Sequence, residues 1–336
     1  MDVGKFKSIG FIGSGNFGNV FRVQDTLLNV ERAIKIIQVN DPQEFIAAIN
    51  EAQILEKCRH NYIVDIKEID IHKISGELFP IITTEYLKNG SVQGYLEKNF
   101  VTIHKAIQIV SEALFGLEHA HGQGVFHRDI KPGNILFSDN WQAKLSDFGL
   151  AYGLAHQSFN FVGYSAHLAP EVLQGLAQDA ISDLYSMGVT FHRLLNNMPS
   201  LPLTFADDAQ WLKALQQEKF PDRVYDYHIP EQIIKVVKKS IKADRGSRYQ
   251  NSLQFRQALQ KIPLAVEWFP IDNDKWEGIF KGEKYELNLF SKRTGFFIDF
   301  KRNGRKINHR CCAGIETEEK ARQSFFKIIR ETTINF

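Results

Sequence analysis

Two acids and an amide stand at fixed intervals near the middle of the chain. Asp129 and Asn134 lie in His127-Arg128-Asp129-Ile130-Lys131-Pro132-Gly133-Asn134, and Asp147 opens Asp147-Phe148-Gly149. Phosphoryl transfer from ATP uses groups of these kinds in this order. One acid orients and deprotonates a hydroxyl, while an amide and a second acid hold the magnesium ions that neutralise charge on the transferred phosphate. No other feature restricts the fold and chemistry of this chain so tightly.

Upstream, Gly13-Ser14-Gly15-Asn16-Phe17-Gly18-Asn19-Val20 reads as a glycine-rich turn whose bare backbone lets N–H groups approach phosphates. Glycines at this spacing also serve hairpins and dinucleotide sites. A dinucleotide site requires the loop to run into a helix, whereas Val20-Phe21-Arg22-Val23 continues as a strand. A third strand follows through Ala33-Ile34-Lys35-Ile36-Ile37, and Asn50-Glu51-Ala52 places an acid in a predicted helix.

In order and spacing these segments resemble the eukaryotic-type protein kinase family, in its serine/threonine-like form, over residues 6–262. The resemblance implies an α+β bilobal protein-kinase-like fold, with an antiparallel-sheet N-lobe carrying one helix and a mainly helical C-lobe. It implies ATP and Mg²⁺ as cofactors, with Mn²⁺ as an alternative metal, and a protein substrate. Asp129 would be the catalytic base, Lys131 would contact the transferring phosphate, and Asn134 and Asp147 would bind metal. Lys35 would reach the α and β phosphates and pair with Glu51. Gly13, Gly15 and Gly18 would cover the phosphates, and Val20, Ala33 and Leu136 would sandwich adenine. Thr84 would be the gatekeeper and Glu85 to Leu87 the hinge. Ala169-Pro170-Glu171 resembles a family motif whose glutamate pairs with an arginine, here Arg248, and Asp183 matches the helix acid that holds the catalytic-loop backbone. Lys131 favours serine/threonine specificity, while Tyr164 stands where the family usually has threonine, a departure that bears on peptide specificity. Arg128 precedes the base in the arrangement that pairs with a regulatory phosphate, and Ser158, mid-segment among polar residues, is the first candidate to carry one, constitutive activity without phosphorylation being the alternative.

Hydrophobic residues make up 43% and charged residues 24% of the 336, an ordinary globular composition with room for two or three domains. Cys58, Cys311 and Cys312 form neither an even set nor a C-x-x-C pair, which argues against a disulfide scaffold or zinc module and fits a reducing compartment. His119, His121 and His127 crowd together without metal-ligand spacing, so packing is favoured over a metal site. With no apolar leader and no run of about 18 apolar residues, the expected location is cytoplasmic, away from any membrane.

The pattern predicts strands near 63–72 and 78–84, a helix over 43–57, and further helices near 102–121, 180–196, 206–217, 230–241 and 252–261. Pro263 punctuates the last, so the expected division is a catalytic domain at 1–263 (N-lobe 1–87, C-lobe 88–263) and a small β-sheet-plus-helix accessory domain at 264–336. There, Tyr285, Leu287 and Leu289 alternate with polar neighbours, as do Phe296, Ile298 and Phe300. Asn303-Gly304 signals a type I′ turn, and Thr317 caps a helix with Ala321, Phe325 and Ile328 on one face.

Residues 291–310 hold Lys292, Arg293, Lys301, Arg302, Arg305, Lys306 and Arg310 against Asp299 alone. A basic hairpin of this kind suits a nucleic acid or an acidic protein partner, and a solvated face with its phenylalanines packed on the closing helix is the alternative. Two other functions stay open: a nucleotide-binding pseudokinase or antitoxin-like regulator that acts by sequestering a partner, and a small-molecule kinase on a related fold.

Overall fold

A computed structural model of the chain describes residues 2–15, 18–37, 46, 49, 53, 56–74, 76–148 and 166–335. Five antiparallel strands open the fold: β1 (Phe6–Gly15), β2 (Gly18–Asp25), β3 (Val30–Ile37), β4 (Ile66–Ile74) and β5 (Glu77–Glu85), in the spatial order β1-β2-β3-β5-β4. Strand register pairs Val20 with Lys35 and Ala33 with Thr84, so these four side chains share one face. Val3, Phe6, Val23, Ile34, Ile36 and Ile81 form a small separate core. Of the helix predicted over 43–57, Ile46, Ile49, Gln53, Glu56 and Lys57 are described and are helical. Glu51 lies outside the described residues, as do Gly149, Ser158 and Tyr164.

The next region is helical around one short hairpin. It contains α1 (Val92–Leu96), α2 (Ile103–Gly122), the hairpin β6 (Ile135–Phe137) and β7 (Ala143–Leu145), α3 (Pro170–Leu173), α4 (Ala180–Leu195), α5 (Asp208–Gln216), α6 (Glu231–Ser240) and α7 (Ser252–Gln260). Helix α2 begins where Thr102 accepts a hydrogen bond from the Lys105 N–H and buries ten of its residues. Helix α4 starts with a full capping box on Asp179 and Ser182, which fixes the entry of the element that carries Asp183. Both run through the largest hydrophobic core. The long helices lie within a residue or two of their predicted bounds. Helices α1 and α3 and the hairpin β6–β7 were not predicted, because three to five residues are too few to display a period.

Beyond Leu264 come β8 (Glu267–Pro270), β9 (Lys275–Phe280), β10 (Glu283–Lys292), β11 (Gly295–Arg302), β12 (Arg305–Lys306) and β13 (Cys312–Ile315), then α8 (Glu318–Ile334). The sheet order is β12-β11-β10-β9-β8, with β13 also on β11. Asn303 and Gly304 both have positive φ, at 47° and 77°, as the predicted turn requires. Tyr285, Leu287, Leu289, Ile298 and Phe300 are buried against Ala321, Phe325, Ile328 and Ile329 of α8. Each large side chain so buried contributes roughly 1.5–3 kcal/mol. Cys311 and Cys312 are half-buried beside this core.

This sheet-and-helix unit seats on the helical region. Thr102 Oγ1 donates to Glu267 Oε1 at 2.5 Å, and His104 Nε2 lies 3.2 Å from the Ala265 carbonyl. The rings of Phe100 and His228 pack on Trp276, and Tyr227 stacks on Phe326. Ile334, at the end of α8, belongs to the main core. No helix among the described residues is long and apolar enough to cross a membrane.

Candidate active site

Asp183, 1% exposed in the first turn of α4, organises the segment between α2 and β6. Its two oxygens accept the backbone N–H groups of His127 and Arg128, each at 2.8 Å, and Oδ2 also lies 2.9 Å from His121 Nε2. A buried carboxylate satisfied by three donors is a rigid anchor. It holds Arg128 at φ 67°, a left-handed conformation uncommon outside glycine. His121 and His127 thus serve this anchor, and His119 stacks on His60 with ring centroids 4.8 Å apart.

His127 is fully buried, and burial pushes its pKa below the ordinary histidine value, which keeps the ring neutral at neutral pH. The Asp129 N–H points at Nδ1 at 3.3 Å, so that nitrogen carries the lone pair. The ring proton then sits on Nε2, which donates to the Ser146 carbonyl at 2.9 Å. One side chain therefore ties the Asp129 loop to the strand end that carries Asp147. Phe148, buried completely, packs on the same ring with centroids 4.5 Å apart.

Asp129, Lys131 and Asn134 form one cluster. Asp129 Oδ2 accepts from Lys131 Nζ at 2.6 Å and from Asn134 Nδ2 at 2.8 Å, and that same amide nitrogen reaches the Asp129 carbonyl at 2.8 Å. Asp147 is exposed, with φ 56°. Its Oδ1 lies 3.5 Å from Lys35 Nζ, and Ser146 Oγ donates to its Oδ2 at 3.1 Å. The amide nitrogen of Asn134 being engaged, the donor it has for a cation is its carbonyl oxygen. That oxygen and the Asp147 carboxylate are hard ligands, a set that fits Mg²⁺.

Val20, Ala33, Lys35 and Thr84 share one face of the sheet by register, and half-buried Leu136 bridges to Ser91. Gly15 and Gly18 pair across the β1–β2 hairpin, and Gly13 pairs with Val20. At Gly13 an added Cβ would meet open space, whereas at Gly18, with φ +150°, it would collide with the Ile36 carbonyl. The third glycine is thus required by close approach of β2 to β3, a reason distinct from phosphate access.

Glu85 ends β5, and its side chain turns away from the sheet face. Oε1 accepts from Lys144 Nζ at 2.6 Å and from the Asp65 N–H at 2.9 Å, while the Glu85 N–H donates to the Asp65 carbonyl. Leu87, two residues on, is buried. Lys144, on β7, had no role in the sequence reading. A lysine two residues before a serine carries no local signal of its own, and only the fold reveals that it faces Glu85. His167 was missed for the same reason. It is 5% exposed, and burial, Arg193 and Lys131 together hold its pKa well below the ordinary value.

Glu171 and Arg248 form the expected pair, bidentate at 2.7 and 2.8 Å, with the guanidinium over the Tyr185 ring. Both are buried, at 3% and 2% exposure.

The family model described as protein kinase domain matches residues 6–262. A probable serine/threonine-protein kinase of Streptomyces coelicolor is 28% identical over 266 residues, 75% of this chain and 39% of its own length. The serine/threonine-protein kinase PknB of Mycolicibacterium smegmatis is 26% identical over 264 residues, 75% of this chain and 42% of that protein. A probable PknB of Lactococcus lactis is 29% identical over 257 residues, covering 73% and 40%. The chain therefore spans about two fifths of the length of these relatives.

Proposed function

The chain belongs to the protein kinase family, whose domain takes in residues 6–262, and from that premise we propose that it transfers the γ-phosphate of ATP to serine or threonine hydroxyls of a protein substrate. The observation that carries the reading is the cluster of Asp129, Lys131 and Asn134 anchored through the backbone to Asp183. Both described bonds to the Asp129 carboxylate fall on Oδ2. Oδ1 is then the atom that takes the hydroxyl proton, while Lys131, already beside the base, meets the incoming phosphate. Asn134 and Asp147 would hold magnesium, which when bound neutralises charge on the phosphates. Lys35, within reach of Asp147, would position the α and β phosphates, and Gly13, Gly15 and Gly18 would lie over them. Val20, Ala33 and Leu136 would enclose the adenine, with Thr84 behind it and the backbone of Glu85 to Leu87 along its edge.

We read 1–263 as the catalytic domain and 264–336 as an accessory domain that binds a partner. Their separate buried clusters support the division, although Ile334 joins the catalytic core. For the basic hairpin, three of seven cations meet carboxylates among the described residues: Arg302 with Glu283 at 3.6 Å, Lys306 with Asp299 at 2.8 Å and Arg310 with Glu331 at 3.9 Å. Lys292 lies over the stacked pair Phe290 and Phe297. The charge is thereby dispersed, which favours a short acidic protein segment over a nucleic-acid track.

Transfer of labelled γ-phosphate to generic protein substrates, comparing wild type with Asp129→Asn, tests the reading. A positioned base contributes about 10²- to 10⁴-fold in rate, so the variant should lose that much with its unfolding midpoint unchanged. Equal rates in the two proteins, or phosphate found only on tyrosine, would overturn it. ATP binding without transfer would favour the partner-sequestering pseudokinase.

A further inference from the structure

The seam between α8 and the loop before α6 carries two adjoining depressions that share Arg330. One, of about 380 Å³, is lined by Tyr227, Gln323, Ser324, Lys327 and Arg330. The other, of about 450 Å³, continues past Arg330 to Pro230, Gln232, Arg310 and Asn335 and is flanked by Glu231 and Glu331. The first lining therefore brings together a guanidinium, an ammonium, a hydroxyl, an amide and a phenol, with no carboxylate. Arg330 is half-buried, and among the described residues it pairs with no acid. Its described bond is a long one, 3.5 Å, to the Tyr227 carbonyl. Lys327 is exposed, and its acid is Glu331 at 3.9 Å, one turn along the helix. Tyr227, 72% exposed, stacks its ring on Phe326 with centroids 6.2 Å apart and lines the first depression.

We propose that this seam binds a phosphorylated serine or threonine of a protein partner, with the phosphate between Arg330, Lys327 and Ser324 and the extended chain running on into the second depression. A phosphomonoester carries about −1.5 to −2 charges and three acceptor oxygens, which suits a planar arginine fork beside a lysine and a hydroxyl. The shape selects a peptide. The second depression offers amide groups and a proline for a neutral backbone, and there Glu231 and Glu331 offset the charge of Arg310 and of the shared Arg330, which leaves little attraction for the second phosphate that a polynucleotide would place at every residue. Because the walls come from both the catalytic region and the appended unit, an occupant bridges the two. The inference does not depend on catalysis, since its readout is binding.

The test uses the full chain and fluorescence anisotropy. The probe is a degenerate labelled dodecapeptide with one fixed central phosphothreonine, and the comparisons are its unphosphorylated twin and a labelled thymidine dodecamer. The phosphopeptide should bind at least about tenfold more tightly than its twin. Arg330→Gln should abolish the difference, and so should Ser324→Glu, which places a carboxylate in the phosphate position and reports independently if the arginine variant folds poorly. Equal binding of the two peptides, a phosphate preference that survives both substitutions, or preference for the oligonucleotide would each overturn the proposal.

Discussion

The catalytic region and the appended unit are held together by opposite means. Residues 127–248 bury His127, His167, Glu171, Asp183, His192, Arg193 and Arg248, while in residues 264–335 the buried polar side chains among those described are Thr332 and Thr333. The second unit relies on carbon: Trp268, Trp276, Leu287, Ile298, Phe300 and Phe325 between one sheet and one helix. Buried charge is a poor source of net stability but an exacting one of geometry, because each group is tolerated only with its partners in place. The first region thus trades stability for fixed positions around Asp129, and the second draws its cohesion from apolar packing.

The contrast breaks most visibly at Arg248. Arg248→Met leaves Glu171 buried without its bidentate partner, and removing one member of such a pair costs about 3–5 kcal/mol. Urea unfolding should show that loss in the transition of the catalytic region. A change below about 1 kcal/mol would mean that Glu171 finds other donors and that the buried charges are less exacting than argued.

His228 probes the boundary between the two regions. It is 5% exposed among Phe100 and Trp276, its Nε2 has no partner among the described residues, and burial pushes its pKa down to about 4. Its folded pKa lies below the unfolded value of about 6.5, so between these two the unfolded chain binds a proton that the folded chain does not. Stability contributed by neutral burial is therefore intact above about pH 6.5 and falls as pH drops toward about 4, by on the order of 3 kcal/mol. His228→Phe should flatten that part of the stability profile between pH 7 and 4.5 measured by urea titration. An unchanged slope would show that the seam opens to water before the ring is protonated.

The two modes of cohesion also explain what the sequence discloses. Exacting polar positions leave motifs: Asp129, Asn134, Asp147, Asp183, Glu171 and Arg248 were each identifiable by order, and the structure places Asp129 with Asn134, Asp147 with Lys35, and Glu171 with Arg248. Apolar cohesion leaves periodicity, so Leu287, Ile298 and Phe325 were assigned to a buried face of the appended unit. What escapes is any group whose partner is set by tertiary approach alone. Lys144 has no local pattern, Gly18 is dictated by Ile36 on the next strand, and the seam at Arg330 exists only once α8 meets Tyr227. The hairpin's basic run overstated its field, because Glu283, at the start of β10, meets Arg302 across the strand pair and Glu331 meets Arg310 from α8.

A smaller effect at Thr332 sharpens the comparison from the other side. Its hydroxyl accepts from Trp268 Nε1 at 3.0 Å and donates to the Ile328 carbonyl at 2.7 Å, a neutral network inside the apolar unit. Thr332→Val keeps the shape and strands one indole N–H, for which about 1–3 kcal/mol is expected. Near-equality with Arg248→Met under the same denaturant would erase the distinction between the regions.

The smallest effect belongs to Lys144, and it separates positioning from cohesion. The Lys144 to Glu85 pair is only partly shielded, with 14% and 23% of the two side chains exposed, so its net contribution to stability is about 1 kcal/mol or less. Its place is what matters: it ties the strand leading to Asp147 to the segment proposed to hold adenine, with Asp65 as a third member. If the pair sets the spacing between nucleotide and base, Lys144→Met should raise KM for ATP about three- to fivefold while kcat changes less, and Lys144→Arg should restore it. A pair that merely stiffens the lobe would instead lower thermal stability and leave the KM for ATP where it was. The arginine variant distinguishes the two cases, since it keeps the charge and reach that a carboxylate at Glu85 requires.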